Sequence, residues 1–450
     1  MEETMYSKLI PFFALVLLLT AIITLRADKV DDHVKAEMLK QHIPGLSLAV
    51  IRDGKIIKAE GYGLANVELN VPATAETVYK IGSVSKQFIA AGIMLLVQEN
   101  RINLDDKISK FLEGTPDTWK EITVRHLLTH TSGIVREAPG FDPLKIQNDA
   151  DVIKSAYPLP LSFVPGEKSE YSNTGYFTLA EIIRKVTGKP WEDYLTERLF
   201  MPLAMNATRT TSITEIVQNR ANGYVWRTNK LQNAGIYFAL RPSGAFLSSV
   251  LDLAKWDAAL YTDKILKQSV RNQMWSPVKL NNGTTYPYGF GWYLDTLEGR
   301  KLVRHGGSLP GFRAEFVRFA DDKLTIVILA NGDNSNLGSI ALDVADHYIP
   351  GLIPKRTAAK VDSKILDTYA GQYQPNPSTV LTVTREGNKL MIQQGSDTEK
   401  RELLPETEVN FFTTENPRLT YRFVKDEKEQ VTYLVVQEEG REIGRAKKIK

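Results

Sequence analysis

The chain has 450 residues, 43% of them hydrophobic, enough to bury a large core over two or three domains and too apolar for a disordered polymer. Its 56 Lys and Arg outnumber its 53 Asp and Glu by only three, and no basic stripe stands out, so nucleic acid is not an expected partner. With no cysteine, disulfides, thiolate nucleophiles and Cys-ligated zinc are excluded.

Residues 9–25 are an uncharged apolar run between Lys8 and Arg26. As a helix this run spans about 25 Å, short for a membrane span and long for a signal core. Ala27 is the nearest candidate cleavage position, and Glu2 and Glu3 depart from a positive leader; a start at Met5 would remove that departure. Residues 1–27 are therefore read as a signal peptide or a retained membrane anchor. Either one exports the globular part, to the periplasm or beyond, or anchors it facing outward.

Residues 46–51 and 55–63 read as two strands joined by an Asp53-Gly54 turn. Next comes Ser83-Val84-Ser85-Lys86, followed by the breaker-free apolar run 87–97, which reads as a buried helix. Positions three apart share a helix face, so Lys86 lies beside Ser83. A buried ammonium is pushed toward its neutral form and can then accept a serine proton, while a helix N-terminus favours a developing oxyanion. The tetrapeptide alone is weak: Ser276-Pro277-Val278-Lys279 has the same spacing but runs into the turn Asn281-Asn282-Gly283 with no buried helix behind it.

Helical patterns dominate from residue 83 to about 263. Within them His126 and His130 stand at i and i+4, but position 127 is leucine where a metalloprotease helix carries glutamate, so core packing is the expectation and no metal is assigned. Tyr171-Ser172-Asn173 follows Pro165-Gly166 and opens a helical run over 176–186 that stops at Gly188. Its phenol and amide can face a cleft; the alternative is a packed tyrosine with an N-cap amide.

Strand patterns return at 289–293, 301–305, 312–319 and 324–329, with a helix over about 337–348. His305-Gly306-Gly307-Ser308 falls at a strand end, where missing Cβ atoms would let a substrate backbone lie against the edge. Strands at both ends with helices between them suggest one antiparallel sheet completed by the two ends of the domain, flanked by helices, with an inserted helical region: an α/β (α+β) fold. Residues 353–362 read as a linker. Alternating segments at 381–385, 389–393, 419–423 and 431–436 suggest a separate all-β module over 363–450.

Taken together and in this order, these pieces resemble the serine β-lactamase and penicillin-binding-protein superfamily, in the branch of class C β-lactamases, EstB-like esterases and D-aminopeptidases. Supporting text includes Tyr79-Lys80-Ile81-Gly82, residues 122–133 ending His130-Thr131-Ser132-Gly133, Pro202-Leu203-Ala204-Met205 and residues 243–249. The resemblance covers residues 34–350, within a hydrolase domain over 28–352. The segment Ile365 to Tyr373 resembles the start of a lipocalin-like domain often appended to such hydrolases.

The resemblance implies Ser83 as acylated nucleophile, Lys86 and Tyr171 as the proton-handling pair with the choice of acylation base open, and Asn173 as orienting Lys86 and binding a substrate amide. It also implies an oxyanion hole from the backbone N–H groups of Ser83 and Ser308. His305-Gly306-Gly307 replaces the frequent Lys-Thr-Gly, so the usual carboxylate hook is lost unless Arg313 supplies one. The expected function is an exported serine hydrolase acting through an acyl-enzyme on an ester or amide: an esterase, D-aminopeptidase or D,D-peptidase, with weak β-lactamase activity at most. Its partner would be a small-molecule or peptide substrate, peptidoglycan-derived ones included, with no cofactor. The alternative is a catalytically silent relative that binds wall fragments or partner proteins. No G-x-S-x-G elbow, GxGxxG fingerprint or Walker loop is present.

Overall fold

Asp53 and Gly54 both adopt left-handed backbone, with φ of 52° and 72°, the geometry that a two-residue hairpin turn demands. They join β1 (Gly45–Arg52) to β2 (Lys55–Asn66). The computed structural model describes residues 28–212, 214–235, 242–244, 246–395, 400–438 and 441–450. The apolar run at 9–25 lies outside the described residues, among which no helix is long and apolar enough to cross a membrane.

After the short β3 (Val71–Pro72), the sheet is completed by β4 (Tyr293–Leu297), β5 (Arg300–Leu309), β6 (Phe312–Phe319) and β7 (Leu324–Ala330) in the order β4-β5-β6-β7-β1-β2-β3. The junction of the two chain regions is β1 against β7, antiparallel from Leu46↔Ala330 to Arg52↔Leu324. The sheet therefore closes across an insertion, as the order of patterns along the chain suggests. Both central strands are buried on both faces, which is why they read as continuous apolar runs rather than alternating ones.

One face, with Ala49, Ile51, Phe316, Val327 and Leu329, packs on the inserted helical region, including α2 (Lys86–Gln98) and α4 (Val250–Ala259). The other, with Leu48, Val50, Val317, Ile326 and Ile328, packs on α1 (Lys29–Lys40) and α5 (Leu337–Asp346). On α2 every residue from Lys86 to Leu96 is buried. Phe88 meets Phe200, Phe246 and Trp256 edge to face at 5.1, 5.4 and 5.5 Å, a geometry that favours aromatic pairs beyond their buried area. Between α4 and the sheet, Asp257 accepts from Arg318 at 2.7 Å and from Thr325 at 2.8 Å, a fully buried ion pair.

Two expectations are corrected. The strand expected at 289–293 forms instead at Tyr293–Leu297; Gly289 to Trp292 is irregular, with Gly291 left-handed (φ 79°) and packed against the Lys86 carbonyl. The insertion is also less purely helical than its pattern, since Tyr79–Lys80, Phe246–Ser248 and Arg209–Thr210 form a small sheet and Tyr224–Arg227 pairs with Lys230–Asn233.

Beyond the domain, the helix Ser363–Tyr369 leads into a closed eight-stranded barrel. Its strands run Gly371–Asn376, Thr379–Glu386, Lys389–Gln394, Arg401–Pro405, Asn410–Phe412, Leu419–Lys425, Val431–Glu438 and Arg441–Lys448. The first and last pair at Tyr373↔Lys448, leaving no open edge. Tyr369 plugs the barrel, stacking on Phe423 at 4.3 Å while its carbonyl accepts from the Tyr373 hydroxyl.

Candidate active site

The chain enters α2 through one 3-10 turn, Gly82–Ser85, so Ser83 precedes the α-helix and Lys86 is its first residue. Lys86 is 0% exposed. Its Nζ donates to Asn173 Oδ1 at 2.8 Å and to the Ser243 carbonyl at 2.9 Å, and lies 3.3 Å from Ser83 Oγ. The first two partners can only accept, so each takes an N–H bond, and a neutral amine at this position has a lone pair available to a hydroxyl. Two rings flank the same nitrogen, Tyr171 at 4.6 Å and Tyr176 at 5.2 Å from their centroids.

Tyr171 and Asn173 come from the entrance of α3 (Asn173–Thr187). Ser172 is the N-cap, its side chain accepting from Gly175 N at 3.1 Å. Asn173 is thus released from capping; it bridges Lys86 to Glu137, which accepts from Asn173 Nδ2. His130 holds this entrance from below. Its Nδ1 accepts from Ser172 N at 3.1 Å, its carbonyl accepts from Glu170 N at 2.9 Å, and its ring packs 4.3 Å from that of Tyr171. Burial and the nearby Lys86 push the His130 imidazole well below its usual range, so it is the neutral acceptor this arrangement needs.

The two histidines weighed as a metal pair do separate jobs. His126 closes a capping box with Thr123 on the short helix Val124–Leu128, whereas His130 lies past that helix at φ 60°. Among the described residues no group of three or more His, Cys, Asp or Glu could hold a metal ion.

The strand edge at His305–Ser308 abuts the nucleophile. A Cβ on Gly307 would fall 1.9 Å from the Ile81 carbonyl and 3.2 Å from Ser83 N, and one on Gly82 (φ 53°) would fall 2.7 Å from Ser308 N. Glycine at 307 is therefore required by contact between strand and turn, where a seat for substrate backbone was expected. The same contact sets Ser83 N beside Gly307 and Ser308 N beside Gly82.

His305 points into the protein at 1% exposure. Its Nδ1 lies 2.7 Å from the Gly306 carbonyl, which can only accept, so Nδ1 carries the proton and Nε2 accepts from the Tyr288 hydroxyl at 3.0 Å. Burial, with Lys86 close by, pushes the imidazole down to about 3, so His305 is uncharged at neutral pH. Arg313 Nη1 donates to the carbonyls of Leu309 and Phe312. One cavity of about 460 Å³ is lined by Ser83, Tyr171, His305, Gly307, Ser308 and Arg313, with Lys86 buried beneath it. All eight residues singled out from the sequence thus belong to one neighbourhood.

Sequence reasoning missed Tyr288 and Glu137, which act through side-chain polar atoms with no motif of their own, and, although residues 243–249 stood out, the role of the Ser243 carbonyl. It also missed Arg136, whose guanidinium lies 5.2 Å from the Tyr171 ring centroid, and the clamping role of His130. For His130 a signal existed, since the text His130-Thr131-Ser132-Gly133 is polar where a core helix would stay apolar.

Comparison with known proteins agrees with this geometry. Residues 30–347 match the family model described as Beta-lactamase, and residues 355–445 match one described as a domain of unknown function, DUF3471. Penicillin-binding protein 4* of Bacillus subtilis (strain 168) is 31% identical over 402 residues, 83% of this chain and 88% of that protein. The octameric penicillin-binding protein homologue from Pyrococcus abyssi superposes with a TM-score of 0.66 at 27% identity, over 93% of this chain and 99% of that one. D-amino acid amidase from Ochrobactrum anthropi SV3 superposes with a TM-score of 0.62 at 25% identity, over 71% and 96%.

Proposed function

Given that this chain belongs to the beta-lactamase family, we propose that it is a serine hydrolase that forms an acyl-enzyme on Ser83 and acts on an ester or amide, D-amino acid amides and D-peptides foremost. The observation that carries this reading is the buried Lys86, held by Asn173 Oδ1 and the Ser243 carbonyl with its Nζ 3.3 Å from Ser83 Oγ.

In this reading the Ser83 oxygen attacks the substrate carbonyl and its proton passes to Lys86 or, across the adjacent ring, to Tyr171. The carbonyl oxygen takes up the negative charge between the amides of Ser83 and Ser308, donors worth about 3 to 4 kcal/mol each where such a group has been removed in other enzymes. The proton then goes to the departing alcohol or amine as its bond to carbon breaks. Water repeats the sequence, with Tyr171 as base, to release the acid. Asn173 and Glu137 hold Lys86 in place throughout.

Substrate preference follows from His305. A neutral imidazole with both nitrogens engaged inside the protein offers no charge to a carboxylate, which disfavours penicillins and other substrates that depend on a carboxylate being held there. Among the relatives, the Ochrobactrum anthropi enzyme is named for its action on D-amino acid amides. We place the activity outside the cytoplasm on the strength of the apolar run at residues 9–25.

The test is a panel of a p-nitrophenyl ester, a D-aminoacyl p-nitroanilide and nitrocefin, run on the parent and on Ser83→Ala. Ester and anilide should turn over with nitrocefin far behind, and Ser83→Ala should lose at least about 10³-fold. A parent inert to the whole panel, or a variant as active as the parent, refutes the proposal.

A further inference from the structure

The cavity that holds Ser83 also contains a carboxylate that the acyl-transfer chemistry does not use. Glu315, on β6, is 7% exposed and lines the same cavity. It pairs across the strands with Gly306, and its Oε2 would stand 3.0 Å from a Cβ at 306. Glycine there leaves the carboxylate bare against the strand edge, where any side chain at 306 would press on it and make it give way by a few tenths of an ångström. Two residues along this edge, about 7 Å at the usual strand rise, is the Ser308 amide beside the nucleophile.

Among the described residues no donor lies within hydrogen-bond distance of either Glu315 oxygen. Its one ion pair is loose, with Arg304 Nη1 at 4.0 Å. Arg304 is committed elsewhere, its Nε donating to Asp295 at 2.5 Å. One guanidinium thus serves two carboxylates, and burial pushes the less closely held Glu315 carboxyl up to about 7, so that near neutral pH it is ionised only in part until a cation pairs with it. Arg313 is turned to backbone carbonyls and Arg136 lies over Tyr171. In the adjoining cavity of about 500 Å³ that Glu315 also lines, the barrel contributes opposite charges, Arg418 and Glu438. The first turn of α5 lies near, with a Cβ at Gly338 falling 3.8 Å from Oε2. A buried carboxylate short of partners is stabilised by a ligand cation that donates hydrogen bonds to it.

We propose that Glu315 is the recognition site for a primary ammonium group on the substrate, so that this hydrolase selects amine-bearing acyl compounds over their neutral counterparts. The assignment rests on Ser83 being the reacting group of this cavity, and it names the substrate class. The site is incomplete until such a cation arrives, which is what a specificity determinant requires: an acyl group of the same shape without the amine leaves the carboxylate unpaired.

The test separates binding from turnover. Calorimetric titration of the Ser83→Ala protein with D-phenylalaninamide and with 3-phenylpropanamide, its neutral des-amino analogue, should show the cationic amide binding at least about tenfold more tightly. The same pair titrated into Ser83→Ala/Glu315→Gln should bind alike. Equal affinities in the Ser83→Ala protein, no detectable binding of the cationic amide, or a preference that survives Glu315→Gln each overturn the proposal. Should the double variant not fold, the difference between the two amides in Ser83→Ala alone decides for or against the ammonium site. Failure of the acyl-enzyme reading would appear separately, as a parent that turns over nothing in the panel while these affinities stand.

Discussion

Replacing Gly307 with alanine tests the contact that, in the proposed mechanism, sets the oxyanion site. The added methyl would fall 1.9 Å from the Ile81 carbonyl oxygen and 3.2 Å from Ser83 N. Both are backbone atoms, so no side chain can swing aside, and β5 must part from the Ile81 to Ser83 segment by about 1.3 Å or more to restore ordinary packing distance. The amides of Ser83 and Ser308 lie on opposite sides of that contact, so the shift separates the two donors. A misplacement of about 1 Å at a reacting centre costs about 100-fold, and loss of one oxyanion donor about 10² to 10³ in kcat. Gly307→Ala should therefore lower kcat for a p-nitrophenyl ester by about 10² to 10³. Overpacking should lower unfolding stability by only about 1 to 3 kcal/mol, leaving the variant folded in buffer. Steady-state kinetics with urea denaturation reads both. A folded variant with kcat within about threefold of the parent would refute the argument that this contact sets the oxyanion geometry.

Other perturbations separate catalytic from structural roles. His130→Phe removes the acceptor of Ser172 N, so urea denaturation should show a loss of about 1 to 3 kcal/mol, and kcat should fall more than KM changes because Tyr171 rides on the same strand of chain. Asp257→Ala leaves the Arg318 guanidinium buried without its partner and should cost about 3 to 5 kcal/mol of stability; a loss under about 1 kcal/mol would mean that the pair is solvated. His305 gives a pH signature. Its folded-state value of about 3 lies below the ordinary 6.5, so the unfolded chain takes up the proton first. Its contribution is whole above about 6.5 and shrinks as pH falls, by about 2 kcal/mol near pH 5. His305→Asn should lose that part of the acid sensitivity, and urea titrations near pH 5 and pH 8 on parent and variant give the difference.

Much of this architecture was legible because its signals are local. The Asp53-Gly54 turn fixes the hairpin, the apolar run behind Lys86 fixes α2, and the apolar strand texts at 312–319 and 324–329, parted by the Asp321-Asp322 turn, fix β6 and β7 nearly to the residue. Where the backbone bends for packing reasons the sequence misleads, as at residues 289–292, whose aromatic text looks like a strand but wraps the start of α2. In the barrel four strands were missed: Asn410–Phe412 has three residues, Arg401–Pro405 and Arg441–Lys448 carry charges, and Gly371–Asn376 is polar and ends in Pro-Asn, so no alternation announces them. At the site, Ser83, Lys86, Tyr171 and Asn173 stand out by spacing and chain order. Glu315 does not, because an acidic residue in the middle of a strand looks solvent-facing until the paired Gly306 and the first turn of α5 are seen around it.

The central claim, a covalent acyl-transfer centre at Ser83 served by a buried amine, is tested most directly by reacting the protein with a fluorophosphonate, weighing it intact and mapping the modified peptide. One adduct per chain on the peptide that contains Ser83, absent from Ser83→Ala and formed far more slowly in Lys86→Ala, is the predicted result. An adduct on a different residue, or one that persists in Ser83→Ala, would contradict it.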